Sequence, residues 1–368
     1  MTATTAEAER QDLDETSPDL KTVATATATA TTTERHAPTT EESDLQAESE
    51  GDFRDDDSAI GDDAASSTAS INSSIMQYRT ENGRTYHSFR ESINYVLPND
   101  SSEQERLDLQ HHLFTLTLGG KLYLSPLQEG NKPIERTLDA GTGTGVWAID
   151  YADHHPETQV LGIDLSPIQP NFLPTNLEFQ VDDLEDEWTY SYKFDFVFAR
   201  MLTGSIGDWP KFFKQSFDSL NPGGWVECQD ITFPAASDDG TLVKGSYIDQ
   251  WSEFMTEAAS NFGRSAVSAK SYKQQMIDAG FVNVTEVVYK WPTNRWPADP
   301  YYKELGFWCN HNIAGELSGL SLALFTKGLG WSVEEVEVFL AKVRTDMRDR
   351  RIHAWWPVHV VYGQKPEF

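Results

Sequence analysis

One stretch of the chain, Leu138-Asp139-Ala140-Gly141-Thr142-Gly143-Thr144-Gly145, sets an acid two residues ahead of three alternating glycines. Glycines so spaced let the main chain turn sharply and let a ligand lie almost against the backbone. The apolar residues 134–138 read as a strand entering the turn, and Val146-Trp147-Ala148-Ile149 as the first turn of a helix leaving it. A second acid, Asp164, closes the next apolar run, Val160-Leu161-Gly162-Ile163. It follows the glycines by about 20 residues, the separation expected of a carboxylate that accepts hydrogen bonds from ribose hydroxyls. The third glycine comes one residue earlier than in the dinucleotide fingerprint, so the pattern keeps that motif's logic and departs from its spacing.

These residues need a scaffold. From residue 134 onward short apolar runs alternate with helical patterns, the signature of βαβ units and a parallel sheet. Later strands are expected at 177–181, 194–199 and 225–228, with a helix over 209–220 and the turn Asn221-Pro222-Gly223-Gly224 between the last two. A helix stopped by Gly280 leads to a strand over 281–289, and the run 352–362 closes the fold. Between those two strands lies an insertion with helical patterns around 301–311 and 333–347. Ahead of the sheet, Glu81-Asn82-Gly83-Arg84 reads as a turn. Ser102 and Glu105 read as a capping box for a helix carrying Leu107, His111, Phe114 and Leu118 on one stripe.

Composition bounds the rest. Residues 1–70 hold 18 acidic and 4 basic residues and almost no aromatic side chain. Such a segment buries too little apolar surface to offset its conformational entropy, and disorder is expected over 1–75. The remainder is expected to be one enzyme-sized domain over 76–368: an N-terminal cap (76–130), a ligand-binding core (131–295), a helical insertion (296–351) and the last strand (352–368). A net charge of −29 argues against direct contact with nucleic acid. Two cysteines provide no disulfide framework, and neither a signal segment nor a membrane-length apolar run is present. A cytoplasmic or nuclear protein is expected, with no membrane partner and no metal.

The order Asp139, glycines, helix, strand, Asp164 resembles motif I of the class I S-adenosylmethionine-dependent methyltransferases. Phe194-Asp195-Phe196-Val197-Phe198-Ala199-Arg200-Met201 resembles their motif IV, and Asn221-Pro222-Gly223-Gly224 the turn before their fifth strand. Further strings, among them Asn82-Gly83-Arg84-Thr85-Tyr86-His87, Leu97-Pro98-Asn99-Asp100, Gly162-Ile163-Asp164-Leu165-Ser166-Pro167 and Asp182-Asp183-Leu184-Glu185, resemble the LaeA-like methyltransferases of filamentous fungi over roughly residues 78–365. The resemblance implies an α/β, Rossmann-like fold with a mostly parallel seven-stranded sheet and helices on both faces. It also implies a helical N-terminal cap, a helical insertion before the last strand, and S-adenosylmethionine as cofactor. It assigns Asp139, Gly141, Gly143 and Gly145 to the methionine and ribose, Asp164 with Leu165 to the ribose hydroxyls, and Asp182 or Asp183 to the adenine amine. Arg200 and Met201 would pass beneath the methyl group, and Tyr86 is the aromatic expected over the cofactor, where a ring face also favours the sulfonium. Trp188 is a second aromatic able to cover the adenine.

A methyl acceptor that must lose a proton benefits from a general base. His111, His112 and Glu227 are the candidates, with His87 and Asp230 beside them; His111 sits on an apolar stripe, where a structural histidine is the commoner finding. Three readings stand at this point. One is a methyltransferase of fungal secondary metabolism acting on a small molecule or peptide. Another is a regulator of secondary metabolism that works through nuclear partner proteins. The third, a nucleotide-dependent oxidoreductase, is disfavoured by the glycine spacing and by Asp139.

Overall fold

The computed structural model describes residues 78–89, 95–127 and 133–367; the tail expected over 1–75 lies outside them. Asn82 and Gly83, with φ of 50° and 78°, turn a short hairpin of β1 (Arg79–Glu81) and β2 (Arg84–Tyr86). Asn-Gly suits such a turn because both residues tolerate positive φ. Helix α1 (Ser101–Thr117) begins at Asp100, whose carboxylate accepts the Glu103 N–H and pairs with Arg84 at 2.5 and 2.8 Å. The sequence pointed to Ser102 as the cap. Asp100 takes the role because Arg84 holds it at the helix mouth, so the helix starts earlier.

The sheet is assembled from β3 (Arg136–Ala140), β4 (Gln159–Asp164), β5 (Leu177–Val181), β6 (Phe194–Arg200), β7 (Leu220–Ile231), β8 (Ala236–Ser237), β9 (Val282–Pro292) and β10 (Ala354–Gln364). Its main order is β5-β4-β3-β6-β7-β10-β9, parallel as far as β7, with β10 antiparallel to both neighbours. This is the expected seven-stranded pattern, and β8 adds a two-residue eighth strand against the start of β10. The chain runs outward from β3 to β5 and then returns to β6 on the other side. Ligands of open α/β sheets bind at such a reversal, beyond the carboxyl ends of the strands.

Alternation along β6 shows how the faces are built. Phe196 and Phe198 turn toward α2 (Val146–His154), where Trp147 stacks on Phe198 with ring centroids 3.7 Å apart. Val197 and Ala199 turn to the opposite face and pack with α3 (Trp209–Ser219) and α5 (Tyr272–Asp278) through Phe212, Phe213 and Tyr272. A third core gathers α1, α4 (Tyr247–Asn261) and three helices between β9 and β10, namely α6 (Pro300–Ala314), α7 (Leu317–Ala323) and α8 (Val333–Arg348). Trp251, Trp291 and Trp356 are its largest buried side chains. Among the described residues no helix is long and apolar enough to cross a membrane.

Candidate functional site

The glycine turn leaves β3 at the sheet reversal. Gly141 and Thr142 donate to the Ile163 carbonyl at 2.8 and 2.9 Å, which ties the turn to β4. Gly141 and Gly145 have φ of 78° and 81°. A Cβ at Gly141 would lie 2.5 Å from Leu202 Cδ2, and one at Gly145 would enter the Phe179 ring. Position and backbone angle together therefore admit glycine alone there. Asp139 is buried and accepts the Thr142 hydroxyl at 2.5 Å. Burial pushes its carboxyl up to about 7, against the pull of Thr142 and of the Arg200 charge. Asp164 accepts the Gly143 N–H at 2.8 Å and the Ser166 N–H at 2.9 Å, one on each oxygen. The Leu165 N–H also faces this carboxylate, and burial outweighs all three N–H groups to raise its pKa.

A cavity of about 180 Å³ opens beside this turn. Asp139, Gly141, Gly143 and Asp164 line one end, with Arg200 and Met201 at the end of β6. The other end is apolar, formed by Phe233, Trp251, Met255, Ile313, Leu320 and Leu324. A smaller cavity of about 50 Å³ adjoins it, sharing Tyr95, Gly141, Asp164 and Leu202 and lined besides by Leu165, Asp182 and Asp183. Asp182 is exposed and accepts the Asp183 N–H at 2.8 Å. Met201 holds φ of 56° as it leaves the sheet, a sparsely populated angle for its type, and its N–H donates to Gln229.

Arg200 is the cation of the site. Its guanidinium donates to His111 Nδ1 at 3.0 Å and lies 5.1 Å from the Phe114 ring centroid. Burial draws its pKa down to about 10, so it stays charged at neutral pH. Arginine has only donors, so Nδ1 of His111 must be the acceptor and the ring proton sits on Nε2. That proton is donated to Asp150 at 2.9 Å. Burial and Arg200 hold His111 down to about 4, and the ring is neutral.

The remaining candidates lie elsewhere. His111 has its basic lone pair committed to Arg200 and is absent from the cavity lining. His112 is exposed and packs edge-on to Trp308. Glu227 is fully buried and accepts from Leu124 N, Ser125 N, Ser125 Oγ and Gln229 Nε2, which makes it a clasp for the segment after α1. Asp230 accepts from Thr203 N and the Tyr272 hydroxyl, and its carboxyl is raised by burial to about 7. His87 is buried against Tyr95 and does not line the cavity. Trp188 packs on Phe212 and Tyr190, away from both cavities. Tyr86 is buried in the core of the α1 and insertion helices, flanked by Arg79 and Lys327. The aromatic facing both cavities is Tyr95 instead.

Sequence reasoning also passed over a polar strip on α1. Glu103 and Arg106 form a buried bidentate pair at 2.9 and 2.7 Å, and Arg106 Nη1 donates to Asn312 of α6 at 3.0 Å. Gln110 continues the strip, buried, with its Nε2 lacking any hydrogen-bond partner. Glu103, Arg106, Gln110 and Asn312 all line the cavity. The spacing 103, 106, 110 puts them on one helix face, yet charged and amide residues at that spacing read as a solvated face until α6 is known to cover them.

A methyltransferase-domain pattern matches residues 109–286. The methyltransferase pytC of Aspergillus terreus is 39% identical over 305 residues, covering 83% of this chain and 93% of that protein. The probable methyltransferase tdiE of Emericella nidulans is 41% identical over 264 residues, 72% of this chain and 82% of the relative. The secondary metabolism regulator laeA of Aspergillus fumisynnematus is 34% identical over 313 residues, 84% and 82% of the two chains.

Proposed function

The chain belongs to the LaeA-like methyltransferases of filamentous fungi, and from that premise we propose that it moves a methyl group from S-adenosylmethionine to a small molecule or peptide of fungal secondary metabolism. The observation that carries this reading is the conjunction at the sheet reversal of a bare glycine turn, the buried acid Asp139 and the Asp164 carboxylate around one cavity. These residues fit the cofactor. Gly141 and Gly143 expose main chain where the methionine would lie, and Asp139 offers a negative charge for its ammonium end. Asp164 lines both cavities and would accept the two ribose hydroxyls, and Leu165, Asp182 and Asp183 line the adjoining space suited to adenine. Tyr95 takes the place first given to Tyr86, since it faces both cavities. Arg200 and Met201 form the floor between the two ends.

The cofactor supplies a methyl carbon already activated by its sulfonium. The chain's part is to hold an acceptor in line in a dry pocket, and proximity of that kind accounts for much of a methyl-transfer rate. His111, His112 and Glu227 are each engaged away from the cavity, which supports positioning as the main contribution of the protein. The relative named a regulator supports a second reading, in which the fold works through partner proteins. Calorimetric titration with S-adenosylhomocysteine, S-adenosylmethionine and NAD tests the first. Micromolar binding of the two adenosyl ligands, lost by more than a hundredfold in Gly143→Arg and Asp164→Ala, is expected. A well-folded protein that binds neither would overturn it and favour the second reading.

A further inference from the structure

The cavity has two ends and one unexplained group. Leu107 of α1 lies against the glycine turn, where a Cβ on Gly143 would meet it at 3.4 Å, and Asp108 accepts the Thr144 hydroxyl at 2.8 Å. Helix α1 is therefore fixed over the cofactor end by one edge. The adjacent face carries Glu103, Arg106 and Gln110 and looks toward α6, through the Arg106 bond to Asn312. The strip thus lies between the glycine turn and the apolar wall of α4, α6 and α7. Its charges cancel: Glu103 meets Arg106 through two hydrogen bonds. What remains is the amide of Gln110, 3% exposed, with a donor that has no partner. A buried donor left unmade is costly, and such a group in a native cavity calls for a ligand atom that completes it.

We propose that Gln110 recognises the methyl acceptor, and that this acceptor is an uncharged, largely apolar small molecule whose oxygen receives the Gln110 N–H. The inference rests on the methyltransferase reading above. An apolar wall that includes Trp251, Met255 and Ile313 favours a hydrophobic body over a peptide backbone with its many polar groups. Glu103 and Arg106 compensate each other, and the other cation lining the cavity, Arg200, is set at the glycine end against the Asp139 and Asp150 carboxylates, so an ionised ligand in the strip would be desolvated without a counter-charge of its own, at a cost. A neutral oxygen acceptor satisfies Gln110 and adds no charge.

The test uses the full chain saturated with S-adenosylhomocysteine and three probes that share one ring body: 2-naphthol, 2-naphthoate and naphthalene. Binding is followed by ligand-observed NMR, and melting temperature and S-adenosylhomocysteine affinity are measured alongside. The expected order is 2-naphthol tightest, then naphthalene, then 2-naphthoate. Gln110→Leu should weaken 2-naphthol about fivefold while naphthalene and S-adenosylhomocysteine change by less than about twofold, since one neutral hydrogen bond is worth roughly 1 kcal/mol. The same variant should melt no lower than the parent, because it removes an unsatisfied donor; Gln110→Met repeats the test with a more pliable side chain. Preference for 2-naphthoate would overturn the assignment to a neutral acceptor. A loss of S-adenosylhomocysteine affinity in Gln110→Leu would move Gln110 to the cofactor. Lower melting in both variants with unchanged probe binding would make it structural. Failure of S-adenosylhomocysteine to bind the parent protein would instead defeat the methyltransferase reading itself.

Discussion

The two ends of the cavity are made of different material. At the glycine end the backbone does the work: two N–H groups held by one carbonyl, glycines at positive φ, and carboxylates that end adjacent strands. Away from that end side chains do it, contributed in part by helices that stand more than 200 residues apart in sequence, as Arg106 and Asn312 do. Backbone geometry of the first kind is dictated within about 30 residues, the length of one βαβ unit. Contacts of the second kind exist only after the whole chain has folded. The first end has one solution and the second has many.

The sharpest way to break this contrast is to damage each end separately. Gly143→Arg and Asp164→Ala, described above, should remove adenosyl-ligand binding by more than a hundredfold and move the melting temperature by only a few degrees. Arg106→Leu should do the reverse. It strands the buried Glu103 carboxylate, and loss of one partner of a buried pair costs about 3–5 kcal/mol. Urea unfolding should show that loss, while S-adenosylhomocysteine affinity of the folded protein stays within about threefold. Equal effects of the two substitutions on affinity would erase the distinction.

Acid titration sharpens the contrast within the glycine end. Asp139 has its carboxyl raised to about 7, so the ligand-free protein holds a proton that the unfolded chain gives up above the ordinary carboxylate range. Stability from this group therefore falls as pH rises toward 7. A ligand ammonium requires the ionised form, so S-adenosylhomocysteine affinity should rise about tenfold between pH 6 and 8, one pKa unit being a factor of ten. Asp139→Asn should flatten that rise. His111 acts with the opposite sign: held near 4, it withdraws stability as pH falls from the ordinary imidazole range toward that value. The difference between variant and parent isolates Asp139. An unchanged slope in Asp139→Asn would show that another group titrates.

The smallest effect serves as the control. Ser332 caps α8 in a capping box with Glu335, remote from both cavities. Ser332→Ala should cost about 1 kcal/mol in unfolding experiments and leave every ligand affinity alone. A change in affinity would mean that the helices between β9 and β10 transmit strain into the site.

Legibility followed the same division. The succession of strands and helices, the glycine turn and the positions of Asp139 and Asp164 were readable because each is a local pattern with one physical meaning. Tyr86 and Tyr95 were not distinguishable, since both are aromatics near the first hairpin and only the tertiary path decides which one faces the cavity. Glu103, Arg106 and Gln110 carried the pattern of a solvated helix face, and their burial comes from α6. The cap of α1 was misplaced for a related reason: Asp100 gains its position from Arg84, a contact across 16 residues.

Arg84 bears on more than that cap. It pairs with Asp100 and Glu316, and a Cβ on Gly319 would stand 2.5 Å from its Nη1. One guanidinium thus pins the helices of the insertion to the start of α1, and the apolar wall of the cavity hangs from that pin. Heritable change in α6 and α7 can then reshape the wall while the pin keeps it in place and the glycine turn goes untouched. A lineage built this way can change what it modifies without relearning how to modify it.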